Sequence, residues 1–195
     1  MDAVAAYEAL MGTVRGRFLV LDVDVDGEGA LNRAERFALH VRKTVEAVAF
    51  AALSATEHKN AGQLLQQRTK DASQLLAWLN RKKLLRLPQS QRLAPSTDPR
   101  YKAISDGRPT ADLDAADLQG MFSRASALIH ERHPERLSEE GLAIELQELE
   151  RDARALRHWL WNHIVFLGKE GFLVQMGMFG SPSFMGHVSR AAPSN

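Results

Sequence analysis

Between residues 33 and 55 the apolar side chains Ala34, Phe37, Val41, Val45, Val48 and Ala52 recur at steps of three and four. That period lines one face of an α-helix and does not fit the two-residue alternation of a strand, so this segment is the clearest helix in the chain. Asn32, with Glu35 three residues later, has the form of a capping box and predicts where it begins. The same period returns elsewhere. Val4, Tyr7, Leu10, Met11 and Val14 predict a short helix over 3–15, weakened toward its end by Gly12 and Gly16. Ala61, Leu64, Leu65, Ala72, Leu75, Leu76 and Leu79 predict a helix over 58–84 that ends in Arg81-Lys82-Lys83. Asp114 caps a fourth helix over 115–132, striped by Leu118, Met121, Phe122, Ala125, Leu128 and Ile129 and ended by Pro134. Ser138 caps a fifth. Its seam of Leu142, Leu146, Leu149, Ala153, Leu156, Leu160, His163 and Leu167 runs until Gly168 and Gly171.

The intervening segments are of other kinds. Phe18 to Gly27 alternates β-branched residues with aspartates and stops at an Asp-Gly turn signal, which predicts a brief extended segment. From Leu87 to Leu113, Pro88, Pro95, Pro99 and Pro109 break any helix and predict a long connection. The Gly-, Ser- and Pro-rich stretch 177–195 predicts a disordered tail. Together these expectations describe an all-α fold: an antiparallel bundle of four to five helices with a long loop before the fourth, in a single domain over 1–176.

Composition narrows the chemistry. With no cysteine there is no disulfide framework, thiolate metal site or thiol nucleophile. A net charge of +1 creates no global attraction to polyanions, so any nucleic-acid contact must be local. The first residues lack a basic and an apolar signal region, and no apolar run approaches the roughly 18 residues of a membrane span. A cytoplasmic protein with no membrane partner is expected.

Four features could carry chemistry. Asp22-x-Asp24-x-Asp26-Gly27 reproduces the opening of a calcium loop, but Arg33 stands where the bidentate acid is needed, so no standard loop closes. Glu46 is the only charge in an apolar run and should be substantially buried against Arg42, four residues earlier, or another cation. Among the histidines, His130 and His133 lack a third ligand for a metal, and His163 falls on the seam of the fifth helix, where a core histidine is expected. The basic run Arg81, Lys82, Lys83, Arg86 and Arg92 suits a helix C-terminus and could also meet phosphate. Neither a metal site nor a cofactor is expected.

Arg124-Ala-Ser-Ala-Leu-Ile-His130 resembles the R-x4-6-H motif of the HEPN superfamily (higher eukaryotes and prokaryotes nucleotide-binding domain), all-α bundles that include bacterial ribonucleases of toxin and phage-defence systems. Arg42-Lys-Thr-Val-Glu46 is similar to the Arg- and Glu-containing helix of such families, and the likeness covers about residues 32–170. Ala125 departs from the polar residue that ribonuclease members usually carry after the Arg. A second match, Arg157-His158-Trp-Leu-Trp-Asn-His163, has a polar residue there.

The resemblance implies metal-independent RNA cleavage through attack of a ribose 2′-hydroxyl. Arg124 would steady charge on the phosphorane, His130 would transfer protons, Arg42 and Glu46 would support them, and a dimer would complete the site. Residues six apart on a continuous α-helix point roughly 120° apart, so one Arg-His motif does not by itself form a compact pair. The alternative is a helical binding or regulatory module without catalysis, directed at a partner protein or a nucleotide.

Overall fold

A computed structural model describes residues 3–23, 25–56, 71–95, 103–105, 112–131, 138–168, 170–176 and 184–188. The fold is mainly helical. Helix α1 spans Ala3–Leu21, α2 Ala30–Ser54, α3 Ala72–Arg81, α4 Ala115–Ser126 and α5 Glu139–Trp161, and a π-helical turn over Ala127–Glu131 extends α4. Strands β1 (Gln89–Ser90), β4 (Asn162–Leu167), β5 (Glu170–Gln175) and β6 (Phe184–Val188) form one antiparallel sheet in the order β1-β4-β5-β6. A separate hairpin pairs β2 (Leu93–Pro95) with β3 (Ala103–Ser105). No helix among the described residues is long and apolar enough to cross a membrane.

The all-α expectation therefore needs correction at the end of α5. The predicted helix continues to Leu167, whereas backbone geometry turns extended at Asn162, with φ −135 and ψ 119. From there burial follows a period of two: His163, Val165 and Leu167 point inward while Asn162, Ile164 and Phe166 are half-buried. β-Branched and aromatic residues suit a pleated, half-buried surface. Gly168, at φ 66, supplies the left-handed conformation that lets β5 return beside β4. The expected disordered tail contains β6, which pairs with β5 from Gly171↔Val188 to Gln175↔Phe184.

Other boundaries shift for local reasons. α1 takes in the first four residues, Phe18 to Leu21, of the segment expected to be extended, because Phe18 extends the buried stripe Tyr7, Met11 and Val14 by one more turn. Its glycines, Gly12 and Gly16, lie on the exposed face and do not interrupt it. α2 starts at Ala30 behind an N-cap Gly29 with no side-chain cap, so Asn32 lies inside the helix and forms no capping box. Arg36 holds this corner: its guanidinium donates to both carboxylate oxygens of Glu28 and, at 3.0 Å, to the Val20 carbonyl near the end of α1. That bond holds the Glu28 carboxyl below its usual range. The predicted helix 58–84 has a break at Asp71, which is extended and caps α3 by accepting from the Ser73 and Gln74 N–H groups. The part of that prediction before residue 71 lies outside the described residues. Asp114 and Ser138 cap α4 and α5 as expected, Asp114 through a full box with Asp117.

One core joins helices and sheet. α2 packs against α1, α3, α4 and α5, and Val165, Leu167, Val174 and Met176 add the sheet to the same apolar cluster. Trp159, fully buried, donates its indole N–H to the Pro88 carbonyl ahead of β1. The first helix is fastened to the sheet by Tyr7 and His163, both fully buried, whose Oη and Nε2 lie 2.8 Å apart. His163 Nδ1 lies 2.8 Å from the Leu160 carbonyl, which can only accept, so Nδ1 carries the proton and Nε2 accepts from the Tyr7 hydroxyl. The imidazole is neutral. Burial pushes its pKa down to about 4 and raises that of the Tyr7 hydroxyl.

The unfolded chain takes up the His163 proton near the ordinary value of about 6.5, whereas the folded chain resists it until about pH 4. Stability contributed by the neutral form is therefore full above about pH 6.5 and is lost as pH falls through that window, by about 3 kcal/mol in total. Urea denaturation at pH 7 and pH 4 measures this. His163→Gln should flatten most of the slope, leaving the part due to His40, which desolvation and the nearby Arg17 and Arg36 shift in the same direction, and at the acid end the part due to Glu28.

Candidate functional site

α2 is buried over much of its surface, and its arginines emerge at the seams between its neighbours. Arg42 emerges beside α4. Its Nε donates to Glu46 Oε1 at 3.2 Å, and Lys43 Nζ donates to Glu46 Oε2 at 2.6 Å, so one half-buried carboxylate holds two cations. Glu46 has the cationic partners its apolar surroundings require, with less complete burial than expected. The Arg42 guanidinium lies over the Phe122 ring of α4, 5.3 Å from its centroid. Its Nη1 meets Nε2 of His130, an exposed residue 88 positions away on the π-turn. A guanidinium has donors only, so His130 Nε2 is the acceptor in this contact.

The π-turn brings this about. Its i→i+5 bonding shifts the phase of the chain after Ser126, and such turns are often found at functional sites. His130 then faces α2. Arg124, still on the regular helix, grips Asp152 of α5 in a bidentate pair, Nε to Oδ2 at 2.9 Å and Nη2 to Oδ1 at 2.8 Å. Asp152 is 2% exposed and Arg124 37%. The carboxylate bond holds Arg124 protonated more firmly than usual. Sequence spacing paired Arg124 with His130; among the bonds of the described residues, His130 meets Arg42 and Arg124 meets Asp152.

The second Arg-His match does not converge either. Arg157 Nη1 binds Asp22, and its guanidinium lies 5.0 Å from the Trp161 ring centroid. His158 is exposed, and His163 is the core histidine already described, on a strand and sealed from solvent. Asp24 of the incomplete calcium loop and His133 lie outside the described residues. Asp22 is engaged by Arg157, and no group of metal-ligating side chains forms among the described residues. Arg81, Lys82, Lys83, Arg86 and Arg92 are all exposed.

Two participants were not singled out from the sequence. Asp152 sits three residues after Leu149 on the apolar face of α5, and an acid at a seam position is the signal that marks it. Tyr7 carries no comparable signal, since a tyrosine on an apolar stripe reads as core. Comparison with family models, curated proteins and solved structures finds no match to this chain.

The two arginines should differ on substitution. Arg124→Ala leaves a buried carboxylate without its partner, a loss of about 3 kcal/mol once the exposure of the guanidinium is discounted. Arg42→Ala leaves Glu46 with Lys43 and should cost about 1 kcal/mol or less. Chemical denaturation of both variants checks the order.

Proposed function

We propose that this chain is a HEPN-like helical module that binds the phosphate backbone of RNA at the Arg42–His130 surface. One observation carries the proposal: Arg42 stands at a helix seam, braced by Glu46 and Phe122 and touching an exposed imidazole, while Arg124 is engaged by a buried acid. A braced guanidinium loses little side-chain freedom on meeting a phosphate, and its planar fork suits that group better than an ammonium does. Lys43 adds a second cation on the same turn.

A second function, metal-independent cleavage at the same surface, is favoured by the acceptor state of His130 Nε2. As a base, once Arg42 turns from it to the phosphate, that nitrogen would take the proton of a ribose 2′-hydroxyl. The resulting oxygen attacks the adjacent phosphorus, the bond to the 5′-oxygen breaks, and that oxygen takes a proton from water or from a second copy's histidine, leaving a 2′,3′-cyclic phosphate. Arg42, in place of Arg124, would steady the phosphorane.

Fluorescence anisotropy with a short single-stranded oligoribonucleotide tests binding. Arg42→Ala should weaken affinity about tenfold and lower the slope of log K against log salt by about 0.7, the share of one phosphate contact. Equal binding by wild type and Arg42→Ala would refute the proposal. Incubation of labelled RNA in EDTA separates the two functions: stable RNA supports the binding module, and cleavage that disappears with His130→Ala supports the ribonuclease.

A further inference from the structure

On the other side of α2 lies a cleft of about 140 Å³ between the end of α1, the start of α2 and the middle of α5. Arg33, Arg154 and Arg157 line it against two carboxylates, Asp22 and Glu150, and the buried rings of Phe18 and Phe37 contribute its apolar lining. Arg33 and Arg42 are nine residues apart on one helix, roughly 180° around its axis, so this cleft is independent of the Arg42–His130 surface.

The cleft holds an excess of cationic charge that its own acids share unevenly. Glu150 serves two guanidiniums, Arg33 at 2.9 Å and Arg154 at 3.7 Å, so Arg154 is the more loosely held. Arg157 reaches across to Asp22, and both partners of that pair are more than one-third exposed. Such surface pairs exchange partners easily, because the attraction is offset by solvation and side-chain entropy. Arg154 and Arg157 are three residues apart on one face of α5, and Arg33 approaches from α2. Three guanidiniums from two helices surround a volume well below the roughly 300 Å³ of small-molecule pockets. It fits one oxyanion and not a whole nucleotide.

We propose that this cleft binds a single phosphate group, supplied as inorganic phosphate or as the terminal phosphate of an oligonucleotide. Entry of the anion displaces Asp22 from Arg157, which then joins Arg154 and Arg33 on the phosphate oxygens. Asp22 is the competitor whose removal opens the site.

Titration of the full chain with inorganic phosphate, against chloride at matched ionic strength, tests this by calorimetry and by Tm. The expected result is saturable binding, weakened at least tenfold by Arg154→Gln with Arg157→Gln. Asp22→Asn should tighten it several-fold, an effect that a merely structural ion pair would not produce and that stands even if the double variant fails to fold. Preference for a 5′-phosphorylated over a 5′-hydroxyl oligoribonucleotide, abolished in the double variant, assigns the terminal phosphate; binding of inorganic phosphate without that preference assigns the free ion. A response that does not saturate, or one unaltered by Asp22→Asn, overturns the site.

Discussion

The structure depends on the burial of α2. Four helices pack around it, and Ala34, Ala38, Ala47, Ala49, Ala51 and Ala52 present small side chains to its neighbours. A helix surrounded in this way keeps only a narrow solvated strip, here Asn32, Glu35 and Leu39. Its arginines leave through the seams and meet groups of other elements there: Arg33 meets Glu150, Arg36 meets Glu28 and the Val20 carbonyl, and Arg42 meets His130. Both surfaces with chemical potential thus arise from one packing constraint. The burial that stabilises the domain also lays out its charges.

The same constraint separates arginines that look alike in sequence. Arg124 has a partner that is almost wholly buried, and a buried carboxylate left alone is costly, so Arg124 acts as a tie between α4 and α5. Arg42 has partners that are themselves partly solvated. It can change them at little cost. Spacing within one helix does not distinguish these cases, because Asp152 and His130, the partners that separate them, come from other elements.

What was legible in the sequence follows from range. Helical stripes, the Asp114 and Ser138 caps and the Arg42–Glu46 pair all involve residues within one or two turns, where local geometry alone determines contact. The β4–β5 hairpin was hidden because Leu156, Leu160, His163 and Leu167 continue a helical period, while the inward positions 163, 165 and 167 satisfy a strand equally well. Pairing with β5, six residues on the far side of Gly168, decides between the two. His130 lay outside any local rule twice over. Its contact is 88 residues away, and its direction is set by a π-turn in which Ala127-Leu-Ile-His-Glu131 has no recognisable signature.

Side-chain NMR of the guanidinium Nε–H and imidazole groups, recorded while a short single-stranded oligoribonucleotide is added, addresses the central claim most directly. If Arg42 and His130 form the phosphate-facing surface and Arg124 is a structural tie, the Arg42 and His130 signals shift together and saturate while the Arg124 Nε–H, bonded to Asp152, stays in place. Movement of the Arg124 signal with no change at Arg42 and His130 would contradict the account.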